Sequence, residues 1–241
     1  MPDQIFEHPR LAAIYDALDP IRDDLDPYIA MVEEFGARTV IDLGCGTGVL
    51  ALLLAARGLD VVGVDPAGSS LDVARSKPGG TGVRWIHGDA TALHGETVDL
   101  VLMTGNAAQA IVTDQEWATM LTGVHACLAP GGRFVFETRD PAREGWCAWT
   151  ESQSRRTTSI EGQGDVESWV ELLDVELPLV SFRWTFRFLV DGQLLTSDSV
   201  LRFRTREEVR GDLEECGFHL EHVRDAPDRP GRELVFIARA A

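Results

Sequence analysis

Val40-Ile-Asp-Leu-Gly-Cys-Gly-Thr-Gly48 is the stretch whose reading decides the fold. An apolar β-rich run enters three glycines at alternating positions, and Val49 to Arg57 then reads as an apolar helix ending at Gly58. Glycine lets a turn take positive φ and lets backbone approach a ligand with no Cβ in the way. The helix beyond it presents unpaired N–H groups and the positive end of its dipole. Seventeen residues past Gly48, Asp65 closes a second strand-like run, Asp60 to Val64. A carboxylate at that place can accept both hydroxyls of a ribose.

The alternation continues outward from this core. A helix is expected over Ser69 to Ser76, a strand over Val83 to Ile86 and another over Val98 to Met103. Asp114 is expected to cap a helix running to Leu128, and the turn Ala129-Pro-Gly-Gly132 leads into a strand from Arg133 to Thr138. Strands alternating with helices argue for an α/β chain with a doubly wound, mostly parallel sheet. Residues 1–35 read as an acidic helical cover: Ile14, Ala17, Leu18, Ile21, Leu25, Ile29 and Val32 recur at helical steps, interrupted by Pro20 and Pro27. Residues 152–204 lose that rhythm. Phe182, Trp184, Phe186 and Phe188 alternate with Arg183, Thr185 and Arg187, and Asp191-Gly192 supplies a hairpin turn, so an antiparallel β insertion is expected. Thr205 with Glu208 forms a capping box for a helix ended by Gly217, and two strands, Phe218 to Arg224 and Glu233 to Ala238, close the chain. The sheet domain is thereby expected over residues 36–151 and 205–241.

Composition bounds the partners. Of 241 residues, 44% are hydrophobic and 25% charged, as in a globular chain. Thirty-nine acidic against 22 basic residues give a net charge of −17, a field that repels nucleic-acid backbones and anionic lipid, so neither nucleic acid nor membrane is expected as a partner. Lys77 is the single lysine; the other basic residues are arginine, a skew that a GC-rich genome explains. Cys45, Cys127, Cys147 and Cys216 show no C-x-x-C spacing, the N-terminus lacks a signal-peptide pattern, and the longest apolar run falls far short of the roughly 20 residues that span a bilayer. A reduced, cytoplasmic protein is expected.

Two cofactor classes fit a strand, a glycine loop and an acid. A dinucleotide site wants G-x-G-x-x-G, whereas here Gly44, Gly46 and Gly48 alternate and Asp42 precedes them. An acid beside a pyrophosphate is unfavourable, but it suits a cofactor that carries an ammonium group. Asp-Leu-Gly-Cys-Gly-Thr-Gly resembles the first motif of class I S-adenosylmethionine-dependent methyltransferases of small-molecule type. The resemblance runs in order over about residues 36–140: Val-Val-Gly-Val-Asp65-Pro66, His87-Gly-Asp89-Ala90, Val98 to Gln109, and Ala129-Pro-Gly-Gly-Arg-Phe-Val-Phe136. It implies a seven-stranded sheet in the order 3-2-1-4-5-7-6 with strand seven antiparallel, and S-adenosylmethionine as cofactor. The implied cofactor contacts are Asp42, Gly44, Cys45, Gly46, Gly48, Asp65, Pro66, Asp89, Ala90, Thr104 and Asn106. Asp65 would hold the ribose and Asp89 the adenine amino group.

The acceptor is narrowed by departures from the family's subclasses. Base-modifying enzymes carry Asn/Asp-Pro-Pro-Tyr/Phe after strand four, where this chain has Thr104-Gly-Asn-Ala107. Metal-dependent enzymes need a carboxylate there, which Thr104 cannot supply, and His219 and His222 would face opposite sides of a strand; no metal is expected. A small-molecule acceptor remains, with an amine favoured over a hydroxyl. Tyr15, Gln109, Trp146 and Trp149 are the candidate acceptor contacts. His8, His87, Glu137 and Arg139 lie near strand ends, and no spacing singles out a catalytic base. Asp16, Asp19, Asp23, Asp24 and Asp26 in the cover would favour a cationic acceptor if they lined the cleft. A sensor that binds the cofactor without turnover and a protein methyltransferase are the alternatives; oligomeric state is not readable.

Overall fold

The computed structural model describes residues 2–241. Three helices come first: α1 (Gln4–Glu7), α2 (Pro9–Leu18) and α3 (Asp26–Phe35). Alternating strands and helices follow as β1 (Thr39–Leu43), α4 (Val49–Ala55), β2 (Asp60–Asp65), α5 (Gly68–Ser76), β3 (Arg84–His87), β4 (Val98–Met103), α6 (Asp114–Cys127) and β5 (Leu128–Arg139). After α7 (Glu151–Ser154) come β6 (Arg156–Ile160), β7 (Gly164–Glu176), β8 (Leu179–Phe188) and β9 (Leu194–Arg202). The chain closes with α8 (Arg206–Glu215), β10 (Phe218–Asp225) and β11 (Glu233–Ala240).

The larger sheet has the order β10-β11-β5-β4-β1-β2-β3, which is the order expected from the family resemblance once its seven strands are numbered by themselves. All neighbours run parallel except β11, which is antiparallel to both β5 and β10. Its strands are apolar on both faces because both are covered. Ile41, Val101, Phe134 and Phe136 meet α6 and α8 on one side, while Val40, Leu100, Leu102 and Val135 meet α3 and α4 on the other.

The smaller sheet, β6-β7-β8-β9, is antiparallel throughout. The aromatic alternation on β8 gives it one packed face. Phe186 and Phe188 bury against Leu11, Ile14 and Leu18 of α2, and Phe182 against Trp146, Val170, Val180 and Phe203. Residues 4–18 are therefore packed on this second sheet as well as against α5 beside the first.

Three local expectations change. The cap of α6 is Thr113, not Asp114: Thr113 is extended, its hydroxyl accepts the Glu116 N–H at 3.2 Å, and its own N–H donates to the Glu116 carboxylate at 3.3 Å. Strand β5 starts at Leu128, which pairs with Val98, and Ala129-Pro-Gly-Gly132 loops out as a bulge before pairing resumes at Arg133 opposite Leu100. His219 and His222 share a face of β10. The register skips Glu221, so they pair with Arg239 and Ile237, which are two apart on β11 and point the same way. Among the described residues there is no cluster of three or more His, Cys, Asp or Glu that could hold a metal, and no helix is long and apolar enough to cross a membrane.

Gly48, the N-cap of α4, shows why the glycine spacing is fixed. Its φ is +77°, and a Cβ there would stand 2.4 Å from the Trp85 ring and 2.9 Å from the Ala74 Cβ. Trp85 is itself held by its indole N–H donating to the Gly80 carbonyl at 2.8 Å. Gly48→Ala combines positive-φ strain with overpacking and should cost about 2–4 kcal/mol in denaturant unfolding. A loss below about 1 kcal/mol would show that the ring yields freely.

Candidate active site

The glycine loop is bound to the end of β2. The Gly44 and Cys45 N–H groups donate to the Val64 carbonyl at 2.8 and 3.1 Å, and the Gly46 N–H donates to Asp65 Oδ2 at 2.7 Å. The other Asp65 oxygen accepts the Ala67 N–H at 2.7 Å. Asp65 is thus buried with both oxygens on backbone donors, and burial raises its pKa from the ordinary value. Gly46 has φ +53°, and a Cβ built on it would meet nothing within 4 Å. The Gly46 backbone is thus unobstructed on that side, next to the Asp65 carboxylate to which its N–H is bonded. Cys45 is half-buried in the same turn, and burial pushes its thiol well above the usual range.

Asp42 lies underneath this turn. Only 2% of it is exposed, and Oδ2 accepts the Ala51 N–H at 3.2 Å, one of the orphan donors in the first turn of α4. Desolvation, with the charge of Asp65 adding to it, pushes Asp42 up to about 7. The acid therefore braces loop and helix from below. At the next strand end Asp89 is exposed, and its Oδ1 accepts both the N–H and the hydroxyl of Thr91, at 2.8 and 2.6 Å. Ala90 is buried behind it, while Pro66 is exposed with its carbonyl 2.9 Å from His87 Nε2. These residues form one lip along the carboxyl ends of β1, β2 and β3.

The ends of β4 and β5 form the rest. Thr104 is half-buried at the edge. Asn106 is buried in the left-handed region, φ +60°, and its side chain turns away from the lip: Nδ2 donates to Glu233 Oε1 at 2.9 Å. Gln109 is also fully buried. Its Oε1 accepts the Arg139 N–H at 3.2 Å and Arg139 Nη1 at 3.0 Å, and its Nε2 donates to the Arg202 carbonyl at 3.4 Å. Trp146 packs edge-on against Phe203, with ring centroids 4.6 Å apart, and is buried as well. Trp149 leans on Phe182 and stays half-buried, with the Arg139 guanidinium 5.7 Å from its ring. Of the four residues expected at the acceptor, Tyr15 and Trp149 keep exposed surface; Gln109 and Trp146 stand behind them as supports.

Sequence reasoning did not find the buried hub beneath these strand ends. Glu137, buried on β5, accepts the Tyr28 hydroxyl of α3, the Gly105 N–H at 2.6 Å and the Asn106 N–H at 3.2 Å. Burial raises its pKa, with the Tyr28 hydrogen bond working the other way. No motif marks Tyr28, and its role needs the tertiary contact.

The N-terminal helices tie both sheets to the loop. Asp16 accepts the Thr47 hydroxyl at 2.6 Å and pairs with Lys77 at 2.5 Å, and Lys77 also donates to the Thr47 carbonyl at 2.7 Å. The Ser70 hydroxyl donates to the Phe6 carbonyl at 2.8 Å. On the other side the Ile5 N–H donates to the Ser197 hydroxyl at 2.9 Å, and Arg10 pairs with Asp191 at 2.7 Å. Tyr15, between these anchors, rests against Phe6 with centroids 5.4 Å apart, and burial raises its pKa.

Residues 40–132 match the sequence profile of a family described as a methyltransferase domain. The cypemycin N-terminal methyltransferase of a Streptomyces species is 39% identical over 106 residues, 44% of this chain and 43% of that protein. A ubiquinone biosynthesis O-methyltransferase of Roseobacter denitrificans is 38% identical over 86 residues, 34% of this chain and 35% of that one. The chain thus matches less than half the length of either relative. In structure it is similar to S-adenosylmethionine-bound CalS10, an amino pentose methyltransferase of Micromonospora echinaspora, with a TM-score of 0.74 at 23% identity over 95% of this chain and 97% of that one.

Asp42 gives the site a pH signature. A carboxyl raised on folding from 3.8 to about 7 holds a proton in the folded chain where the unfolded chain has released it, so its contribution to stability falls as pH rises through that window. Asp42→Asn keeps an oxygen for Ala51 and removes the titration. Its stability relative to the parent, read by denaturant unfolding, should rise between about pH 4 and about pH 8; a constant gap would mean that Asp42 is ionised throughout.

Proposed function

We propose, from the premise that residues 40–132 are a methyltransferase domain of the S-adenosylmethionine-dependent, Rossmann-like class, that the chain transfers a methyl group to the nitrogen of a small-molecule amine. The observation that carries this reading is the glycine loop at the carboxyl end of β1, unobstructed at Gly46 and bonded through its N–H to Asp65 at the end of the neighbouring β2. In the proposal Asp65 takes the ribose hydroxyls, Asp89 the adenine amino group, and the backbone from Gly44 to Gly48 the amino-acid portion, with Cys45, Pro66 and Ala90 in contact. Thr104 and the backbone at Asn106 border the transferred methyl, and Tyr15 and Trp149 line the acceptor. Asp42 stands beneath the cofactor's ammonium group, whose positive charge would favour its ionised form. Residues 36–151 and 205–241 form the cofactor unit, and residues 1–35 and 152–204 its cover.

Bound there, S-adenosylmethionine supplies a methyl group on a sulfonium, whose in-line displacement needs alignment rather than a protein nucleophile. The amine is favoured over a hydroxyl because a hydroxyl needs a base with a matched pKa. The groups that the sequence offers as bases are engaged. Glu137 is committed to Tyr28 and two backbone N–H groups, His8 Nδ1 accepts the Arg10 N–H at 3.2 Å, and His87 contacts the Pro66 carbonyl. A neutral amine brings its own lone pair and loses its proton to water afterwards. The cypemycin N-terminal methyltransferase among the relatives supports that preference, and the ubiquinone biosynthesis O-methyltransferase does not.

Calorimetry with S-adenosylhomocysteine should show micromolar-to-millimolar binding, weakened by at least about tenfold in Asp65→Ala, where charged hydrogen bonds to a ribose are lost. Methylation of amines but not of matched alcohols, followed by mass spectrometry, tests the acceptor atom. An absence of binding overturns the cofactor assignment, and binding without turnover of any amine turns the reading into that of a sensor.

A further inference from the structure

We propose that the acceptor is an acidic amine, carrying a carboxylate or phosphate as well as the nitrogen to be methylated, and that Arg139 binds the acidic group. The inference rests on the methyltransferase reading above and concerns the acceptor end of the same cleft. Its starting point is position. Phe136 of β5 is level with Met103 at the end of β4, so Arg139 lies three residues farther along the strand direction. At about 3.3 Å per residue that is about 10 Å beyond the paired edge, on the side where open α/β sheets receive ligands.

The arginine is held firmly and used sparingly. Gln109 Oε1 accepts both its backbone N–H and its Nη1, and Gln109 is itself buried and tied to the Arg202 carbonyl. The nearest carboxylate, Glu233, stands 3.9 Å from Arg139 Nε, which is outside hydrogen-bond range. Glu233 is already engaged by Arg229 Nη1 at 2.7 Å and Asn106 Nδ2 at 2.9 Å. The side chain keeps 28% of its surface exposed, and none of its nitrogens is sealed off without a partner. The rest of the guanidinium fork therefore remains available from the cleft.

Thirty-nine acids are available to 22 basic residues, and Arg10, Arg22, Arg133 and Arg183 have taken the close carboxylates of Asp191, Asp24, Glu221 and Asp198, whereas Arg139 has only the more distant Glu233. A partly buried guanidinium with no carboxylate in hydrogen-bond range carries a desolvation cost that a ligand's acid would offset. The planar fork matches a carboxylate or a phosphate, and Trp149 on one side and Tyr15 nearby give the acceptor aromatic walls. The same positive charge disfavours the protonated form of a neighbouring amine and so favours the lone pair that attacks.

Matched pairs of amines test this on the full chain saturated with S-adenosylhomocysteine. One pair is an amino acid and its methyl ester, and the other a phosphate-bearing amino sugar and the same sugar without phosphate. By calorimetry, the acidic member of at least one pair should bind at least about tenfold tighter than its neutral partner, equivalent to about 1.4 kcal/mol. The pair that shows the difference distinguishes carboxylate from phosphate. Arg139→Gln should erase the preference and Arg139→Lys should keep part of it, with S-adenosylhomocysteine binding confirming that each variant is folded. Equal affinity within both pairs, a preference that survives in Arg139→Gln, or no binding by any member overturns the inference. Failure of the parent chain to bind S-adenosylhomocysteine instead overturns the methyltransferase reading beneath it.

Discussion

The carboxylate of Glu137 is the contact on which the shape of the cleft depends. One oxygen receives the Tyr28 hydroxyl, fixing α3 against the sheet; the other receives the Gly105 and Asn106 N–H groups, fixing the turn after β4. Asn106 can hold its left-handed conformation because that turn is pinned at both its backbone and its side chain, the latter on Glu233 of β11. Glu233 in turn binds Arg229. A buried carboxylate is costly unless its lone pairs are filled, and here they are filled by donors from separate parts of the chain. Removing it would leave a buried hydroxyl and two backbone donors unsatisfied at the ends of β4 and β5.

The second structural requirement is that the helices preceding the sheet serve both halves. Asp16, Thr47 and Lys77 bind α2 to the glycine loop, while Leu11, Ile14 and Leu18 of the same helix bury against Phe186 and Phe188 of the second sheet. A helix shared in this way couples the position of the cover to the loop. Lys77, the single lysine, is part of this link, a point charge that reaches a carboxylate and a carbonyl together.

Much of this was legible in the sequence because it is local. The glycine spacing, Asp65 at the second strand end, the aromatic alternation on β8 and the Thr205–Glu208 box each express a short-range rule, and each has its counterpart in the structure. The readings that moved did so where two local rules competed or where distance mattered. Thr113 and Asp114 are both good caps, and the Glu116 side chain decides between them. A bulge at Glu221 reverses the parity of His219 and His222, and strand periodicity alone does not reveal an extra residue. Asn106 and Gln109 sit in a segment whose sequence points to the site, yet their side chains face Glu233 and Arg139, and only the packed tertiary structure shows that.

The net charge takes on a different meaning once its carboxylates are located. Of the acids in residues 16–26 that suggested a cationic acceptor, Asp16 is spent on Thr47 and Lys77 and Asp24 on Arg22, while Asp19, Asp23 and Asp26 face solvent. Solvated charges are screened over about 8–10 Å at physiological salt, so their sum of −17 governs solubility and long-range encounter rather than recognition in the cleft. Recognition is set by groups that touch the ligand in a place with little water. Under the proposal above, the charge an acceptor would meet there is the Arg139 guanidinium, so an acidic chain would present a basic contact at the point where selection is made.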